Sequence, residues 1–295
     1  MEISELKAFL AVAETASFSR AADQLYLTQP AVSKRVSGLE EKLDIRLFDR
    51  IGRRVTLTEA GQRLLPSARQ IIGEIANIHR SIANLNEEIG GTLTMATSHH
   101  IGLRRLPPVL KAYSHRFPKV KLDIRFMDSE TACTEVEQGI LELAIVTLPP
   151  EPPLNLKVQE IWCDMLHFVV AKDHPLARMQ EVHLADLAIH PAVLASWGTY
   201  TREILEKAMK PYNLHLNIGM STNYLETLKM MVSIGLGWSL LPETMTGDDD
   251  LKRLTVNRVR LTRPLGVVYH RGRTLSNSAK AMLETCQDFG ENRRQ

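Results

Sequence analysis

Cysteine is scarce in this chain: three residues in 295, with no CxxC pair among them. That pattern fits a reducing compartment. No run approaches the roughly 20 apolar residues of a membrane span. The N-terminus, with Glu2 and Glu5 beside an amphipathic stripe, does not read as a signal peptide. An excess of one charge is missing too. Lys+Arg number 36 and Asp+Glu 34, a formal +2, so the chain is no histone-like polycation. Nothing resembles a nucleophile elbow, a P-loop or a dinucleotide fingerprint; Gly235-Leu236-Gly237 lacks the third glycine and the right context. His99-His100 has no spaced third ligand for a metal. The expectation is a cytoplasmic protein of bacterial type, two or three domains long, with no cofactor, no metal and no membrane partner.

What is present begins with three short helical patterns. Leu6, Phe9, Leu10 and Ala13 form the stripe of an amphipathic helix. Ser17 caps a second, with Phe18, Ala21, Ala22 and Leu25 on one face. Thr28 caps a third, striped by Val32, Val36, Leu39 and Leu43. Only Tyr26-Leu27 separates the last two, as in a helix-turn-helix. With Val32, Val36 and Leu39 inward, Gln29, Ser33, Lys34 and Ser37 face outward and Arg35 flanks them, beside Thr28 and Pro30 in the first turn. Such side chains match base edges and phosphates in a DNA groove. Residues 46–50 and 55–57 then read as two strands around a basic turn, a wing that sets Arg50, Arg53 and Arg54 against a phosphate backbone or narrow minor groove. Residues 1–57 hold nine Lys/Arg against eight Asp/Glu, so each module binds moderately and needs a second.

Ala21, Ala22 and Leu25, then Thr28-Gln29-Pro30-Ala31-Val32-Ser33, Leu39-Glu40, Leu43, Leu47-Phe48-x-Arg50 and Leu57-Thr58-x-Ala60-Gly61 resemble the N-terminal signature of the LysR-type transcriptional regulators. The likeness in layout covers the whole chain. It implies a tetramer on double-stranded promoter DNA, with RNA polymerase as a further partner, and a C-terminal periplasmic-binding-protein-like domain that senses a small effector.

Thr58 opens a long helical pattern with Leu64, Leu65, Ala68, Ile71, Ile72, Ile75, Ile78, Ile82 and Leu85 in its stripe. It runs about 29 residues, roughly 43 Å. A helix so long wants a partner of its own kind, which makes 58–87 a dimerisation helix and 88–91, with Gly90-Gly91, a hinge. From Thr92 strands and helices alternate, a parallel α/β pattern. The fold class is therefore α/β overall: an all-α winged helix-turn-helix over 1–57, a linker helix, and a two-lobed α/β effector domain over 92–295. Lobe I takes about 92–161 plus 266–295 and lobe II about 162–265.

Ligands of open α/β sheets sit at the strand C-terminal ends. Here these ends carry Ser98, His99 and His100, then Thr147, then Ser196 and Thr199, with Asn223 before a further helix. Hydroxyls and free N–H groups at helix starts suit an anion. The resemblance assigns effector contacts to these loops, and Trp238 joins the candidates. Capping is the competing role for Ser196, Thr199 and Asn223, the last in a capping box with Glu226. Cys133 and Cys163 lie beside acidic residues, which do not activate a thiol. Two other classes stay open: a solute-binding protein, suggested by the C-terminal half, and an α/β enzyme fused to a DNA-binding domain.

Overall fold

In the computed structural model, described over residues 1–51, 54–84, 89–247, 250–257 and 259–291, the first three stripes are helices: α1 (Ile3–Thr15), α2 (Phe18–Leu25) and α3 (Gln29–Leu43). Their caps form as local chemistry dictates. Ser17 accepts from the Arg20 N–H at 3.3 Å and Thr28 from the Ala31 N–H at 3.4 Å. Phe9, Val32, Val36 and Leu39 are fully buried between the helices, where Phe9 and Phe18 pack on Phe48. β1 (Phe48–Ile51) and β2 (Arg54–Leu57) pair antiparallel as a hairpin. Thr58 then accepts from the Gly61 N–H at 3.1 Å and opens α4 (Glu59–Ala83). Gly61 has to be glycine: a Cβ there would meet the Leu47 carbonyl oxygen at 2.2 Å. Asn84, a weak helix former, caps α4 earlier than the stripe through Leu85 suggests. Residues 85–88, the end of the expected linker and start of the expected hinge, lie outside the described residues.

Two compact units make up the chain, one of Met1–Asn86 with Gln138–Ile140 and the other of Glu87–Glu137 with Leu141–Gln295. The second opens with β3 (Gly91–Thr97), α5 (His99–Arg104), α6 (Leu106–Arg116), β4 (Val120–Phe126), α7 (Ser129–Glu137) and β5 (Leu143–Thr147). β3 lies parallel to both β4 and β5. Sequence periodicity predicts one helix over 103–116; the chain instead forms two, breaking at Arg105 (φ −111°) just before Leu106-Pro107-Pro108. A proline removes an N–H and restricts the residue before it.

Next come β6 (Leu156–Ala171), α8 (Leu184–Ile189), β7 (Ala192–Leu194), α9 (Tyr200–Met209), β8 (Ile218–Ser221), α10 (Leu225–Ser233), β9 (Ser239–Pro242), β10 (Leu251–Arg253), β11 (Leu261–His270) and α11 (Asn277–Glu291). A seven-stranded sheet runs β10-β6-β11-β5-β3-β4, with β9 also paired to β6. β6 and β11 are much longer than the strands expected over 165–171 and 266–269. They pair antiparallel from Leu156↔His270 to Leu166↔Leu261, passing from one lobe into the other. Their register shifts between Leu265 and Gly266, where a Cβ on Gly266 would meet the Gln159 carbonyl at 2.0 Å. Each lobe packs its own core, Met95, Ile145, Val267 and Met282 in one and Phe168, Leu194, Trp238 and Leu240 in the other.

Candidate functional site

Burial of Val32, Val36 and Leu39 decides which side of α3 is free. Thr28, Gln29, Pro30 and Lys34 are exposed, and Ser33, Arg35 and Ser37 are half-buried beside them. In the hairpin Arg50 stands opposite Val55 and Arg54 opposite Ile51; Arg53 lies outside the described residues. Glu40 belongs to the signature read from the sequence, but no bonding role was assigned to it there. Its Oε1 accepts the Leu47 N–H at 2.7 Å and the Phe48 N–H at 3.3 Å, tying α3 to the start of the hairpin. An acidic residue in the C-terminal half of a helix opposes the dipole, and that was the available signal for a second partner.

The effector candidates converge in the second unit. Ser98, His99, His100, Thr147, Thr199 and Asn223 line one cavity of about 60 Å³, where the strand ends of one lobe meet those of the other. Two hydrogen bonds cross it. The Asn223 Nδ2 donates to Asp128 Oδ2 at 2.8 Å, and the Tyr200 N–H donates to Glu130 Oε1 at 2.6 Å. His99 packs against Phe126 and Tyr224 with tilted rings, centroids 5.5 and 5.0 Å away. Ser98 caps α5 by position yet makes no side-chain bond to it. The buried Thr147 donates its N–H to Ser129 Oγ at 3.1 Å.

Beneath the cavity lies a buried charge cluster. Asp164 on β6 accepts from Arg263, its register partner on β11, at 2.8 Å, and from Arg105 at the α5–α6 break. Burial pushes the Asp164 carboxyl up. The adjoining imidazole and the two guanidinium groups outweigh that and hold it well below the usual carboxylate range. His100 Nε2 stands 3.7 Å from Asp164 Oδ2, and burial lowers its pKa more than Asp164 raises it. Arg263 also lines the cavity. Sequence reading missed it because its partner is 99 residues away.

Several expectations need correction. Trp238 is no cleft residue: it is fully buried in the second lobe's core, donating Nε1–H to the Leu187 carbonyl at 2.8 Å and packing on Phe168. His99 and His100 form the first turn of α5 and do not precede it. Ser196 does not line the cavity; its N–H donates to Asn223 Oδ1 and its carbonyl accepts from the Thr199 hydroxyl. The Asn223–Glu226 capping box is absent, because Tyr224 is the N-cap of α10 and Asn223 reaches across the cleft. An anion at the start of α9 is supplied by the chain itself, as Glu130. Cys133 and Cys286 are buried, and burial pushes their thiols up to about 11 and about 12. No group of three or more His, Cys, Asp or Glu among the described residues is placed to hold a metal ion. No helix among them is long and apolar enough to cross a membrane.

Comparison with known proteins matches both units. Residues 3–62 fit the bacterial regulatory helix-turn-helix family of lysR type, and residues 86–291 fit the LysR substrate binding domain. A probable nitrogen assimilation transcriptional activator of Synechococcus elongatus is 32% identical over 250 residues, covering 84% of this chain and 81% of that protein. Full-length CbnR complexed with its target DNA superposes with a TM-score of 0.65 at 21% identity, over 98% of this chain and 100% of that one. The effector binding domain of QuiR in complex with shikimate gives 0.62 at 17% identity, over 69% and 99%. The chain belongs to the LysR family, as a DNA-binding transcriptional regulator with an effector-binding domain, and is not an enzyme.

Proposed function

We propose that this regulator reads a paired promoter site and changes its grip on DNA when a small anion enters the cleft of the C-terminal domain. Gln29, Ser33 and Lys34 on α3 contact base edges in the major groove, with Thr28, Pro30, Arg35 and Ser37 around them. The hairpin, with Arg50, Arg53 and Arg54, holds the phosphate backbone. CbnR, similar in fold, is known with its target DNA, and the QuiR effector domain with shikimate; both support the division of labour.

The observation that carries the effector reading is the cavity itself. It gathers Ser98, Thr147 and His100 from one lobe and Thr199 and Asn223 from the other, over a buried Arg263. A ligand bridging those faces favours one arrangement of the lobes, and shifts the equilibrium by its differential affinity for the two. Pairing through α4 converts that shift into a new spacing or angle between DNA-reading modules.

Footprinting of the full chain on its own upstream DNA, against random competitor, tests the reading. Protection of a dyad-like site whose bending changes with an anion is the expected result. A footprint identical with every cleft ligand would refute the effector mechanism. Gln29→Ala should cost about 1–3 kcal/mol at a single base pair. Equal loss on specific and random DNA would show that Gln29 does not read bases.

A further inference from the structure

Four non-glycine residues among the described ones have a left-handed backbone: Ala16, Tyr26, Asp44 and Asn213. Asp and Asn tolerate that region, and Ala16 carries only a methyl group. Tyr26 is the bulky one. The turn between α2 and α3 dictates its backbone. The Tyr26 N–H donates to the Asp23 carbonyl at 3.2 Å and the Leu27 N–H to the Ala22 carbonyl at 2.9 Å, closing α2. That closure asks only for a left-handed residue, and glycine meets it without strain. The ring itself gains nothing locally. It is 96% exposed, and its side chain has no hydrogen bond, ion pair or ring contact among the described residues. A strained residue whose side chain does not serve the fold points to a role outside it.

Its position narrows that role. Tyr26 precedes Thr28 by two residues, so the two Cα atoms lie within about 7 Å of each other. Thr28, Gln29 and Pro30 are the exposed tip of α3. The major groove is about 12 Å wide and is walled by phosphates, so a residue just outside an inserted helix tip meets the wall and not the base edges. A phenol presents one neutral O–H donor, which suits a phosphate oxygen. Neighbouring charge favours a neutral group there. Asp23 stands exposed on α2, and a lysine at position 26 would have its carboxylate as a competing partner. Arg20, the cation of α2, donates to the Thr15 carbonyl at the end of α1.

We propose that the Tyr26 hydroxyl donates to a backbone phosphate beside the base pairs that α3 reads, and that the strained turn aims it there. This rests on the DNA-reading face proposed above and adds to it a residue outside that face. The contact fixes the register of α3 in the groove and carries no sequence information of its own.

Binding of the full chain to its own upstream DNA and to a random-sequence duplex, across a salt series, tests this. Tyr26→Phe keeps the ring and the strain and removes only the O–H. It should weaken binding to both DNAs about tenfold per module. The slope of log affinity against log salt should stay as in the wild type, because no cation is lost. Tyr26→Gly should weaken DNA binding as much while raising the denaturant midpoint, an opposition that a merely structural tyrosine does not produce. Wild-type affinity in Tyr26→Phe, or a loss that random DNA does not share, overturns the proposal. If the wild type binds upstream and random DNA alike, the paired-site reading fails instead, and the variants on random DNA still decide the role of Tyr26.

Discussion

Tyr26 takes a left-handed backbone, φ 55°, between α2 and α3, and its ring is 96% exposed. A side chain in that region costs on the order of 1 kcal/mol, and here no packing offsets it. Tyr26→Gly should therefore raise the stability of the N-terminal unit by about 0.5–1 kcal/mol in denaturant titration. Asp164 presents the opposite situation. Its carboxylate is the shared counter-ion of Arg105 and Arg263, all three nearly closed to solvent. Asp164→Asn should cost about 3–5 kcal/mol by leaving two buried guanidinium groups undercompensated. The pair Asp164→Leu with Arg263→Leu should lose less than that single change, and a larger loss would contradict the coupling. Neither the cluster nor Arg263's place in the cleft was legible beforehand. Charge pairing across 99 residues leaves no local pattern, whereas Ser98 and Thr147 were readable because strand ends mark themselves.

Elements whose signals are local were read nearly to the residue. α2, α3 and α4 begin where Ser17, Thr28 and Thr58 cap them. Strands set by distant partners were not. β8 lies at Ile218–Ser221, parallel to β7, although alternation suggests 215–218, and α8 and β10 have no clear periodic signature. The break at Arg105 was visible in Pro107-Pro108, but the apolar spacing on either side masked it. α4 carries its own prediction. Ile78 and Ile82 are 58% and 62% exposed along one face of the helix, with Ile71 a turn pair earlier. If that face pairs with a second copy, Ile78→Lys with Ile82→Lys should yield monomers in sedimentation while the fold is retained. Unchanged self-association would place the dimer contact elsewhere.

For the molecule as a whole, titration ties stability to pH. Burial lowers the pKa of His100, His167 and His174, so the folded chain keeps them neutral where the unfolded chain binds protons. Their stabilisation is complete above the ordinary histidine value of about 6.5 and fades as pH falls toward the depressed folded values. Asp164 behaves alike in a lower window, its contribution lost as pH drops below the ordinary carboxylate value of about 4. Glu130, raised mainly by burial, opposes this: its cost grows as pH rises above the ordinary carboxylate range. The denaturant midpoint should therefore fall between pH 7 and pH 5, and His100→Gln should flatten that slope. A midpoint constant over that range in both the wild type and His100→Gln would mean that burial does not hold His100 neutral.

β6 and β11 stay hydrogen-bonded to each other as they leave one lobe and enter the other. The lobes thus share a ribbon, and at 16 residues β6 alone reaches roughly 50 Å. A paired ribbon resists stretching and in-plane shear through its ladder, while its natural twist is the soft coordinate. A ligand closing the lobes, as proposed, would then be felt at their outer ends as a handed rotation about the ribbon axis. Such a ribbon would carry the proposed effector signal as torque.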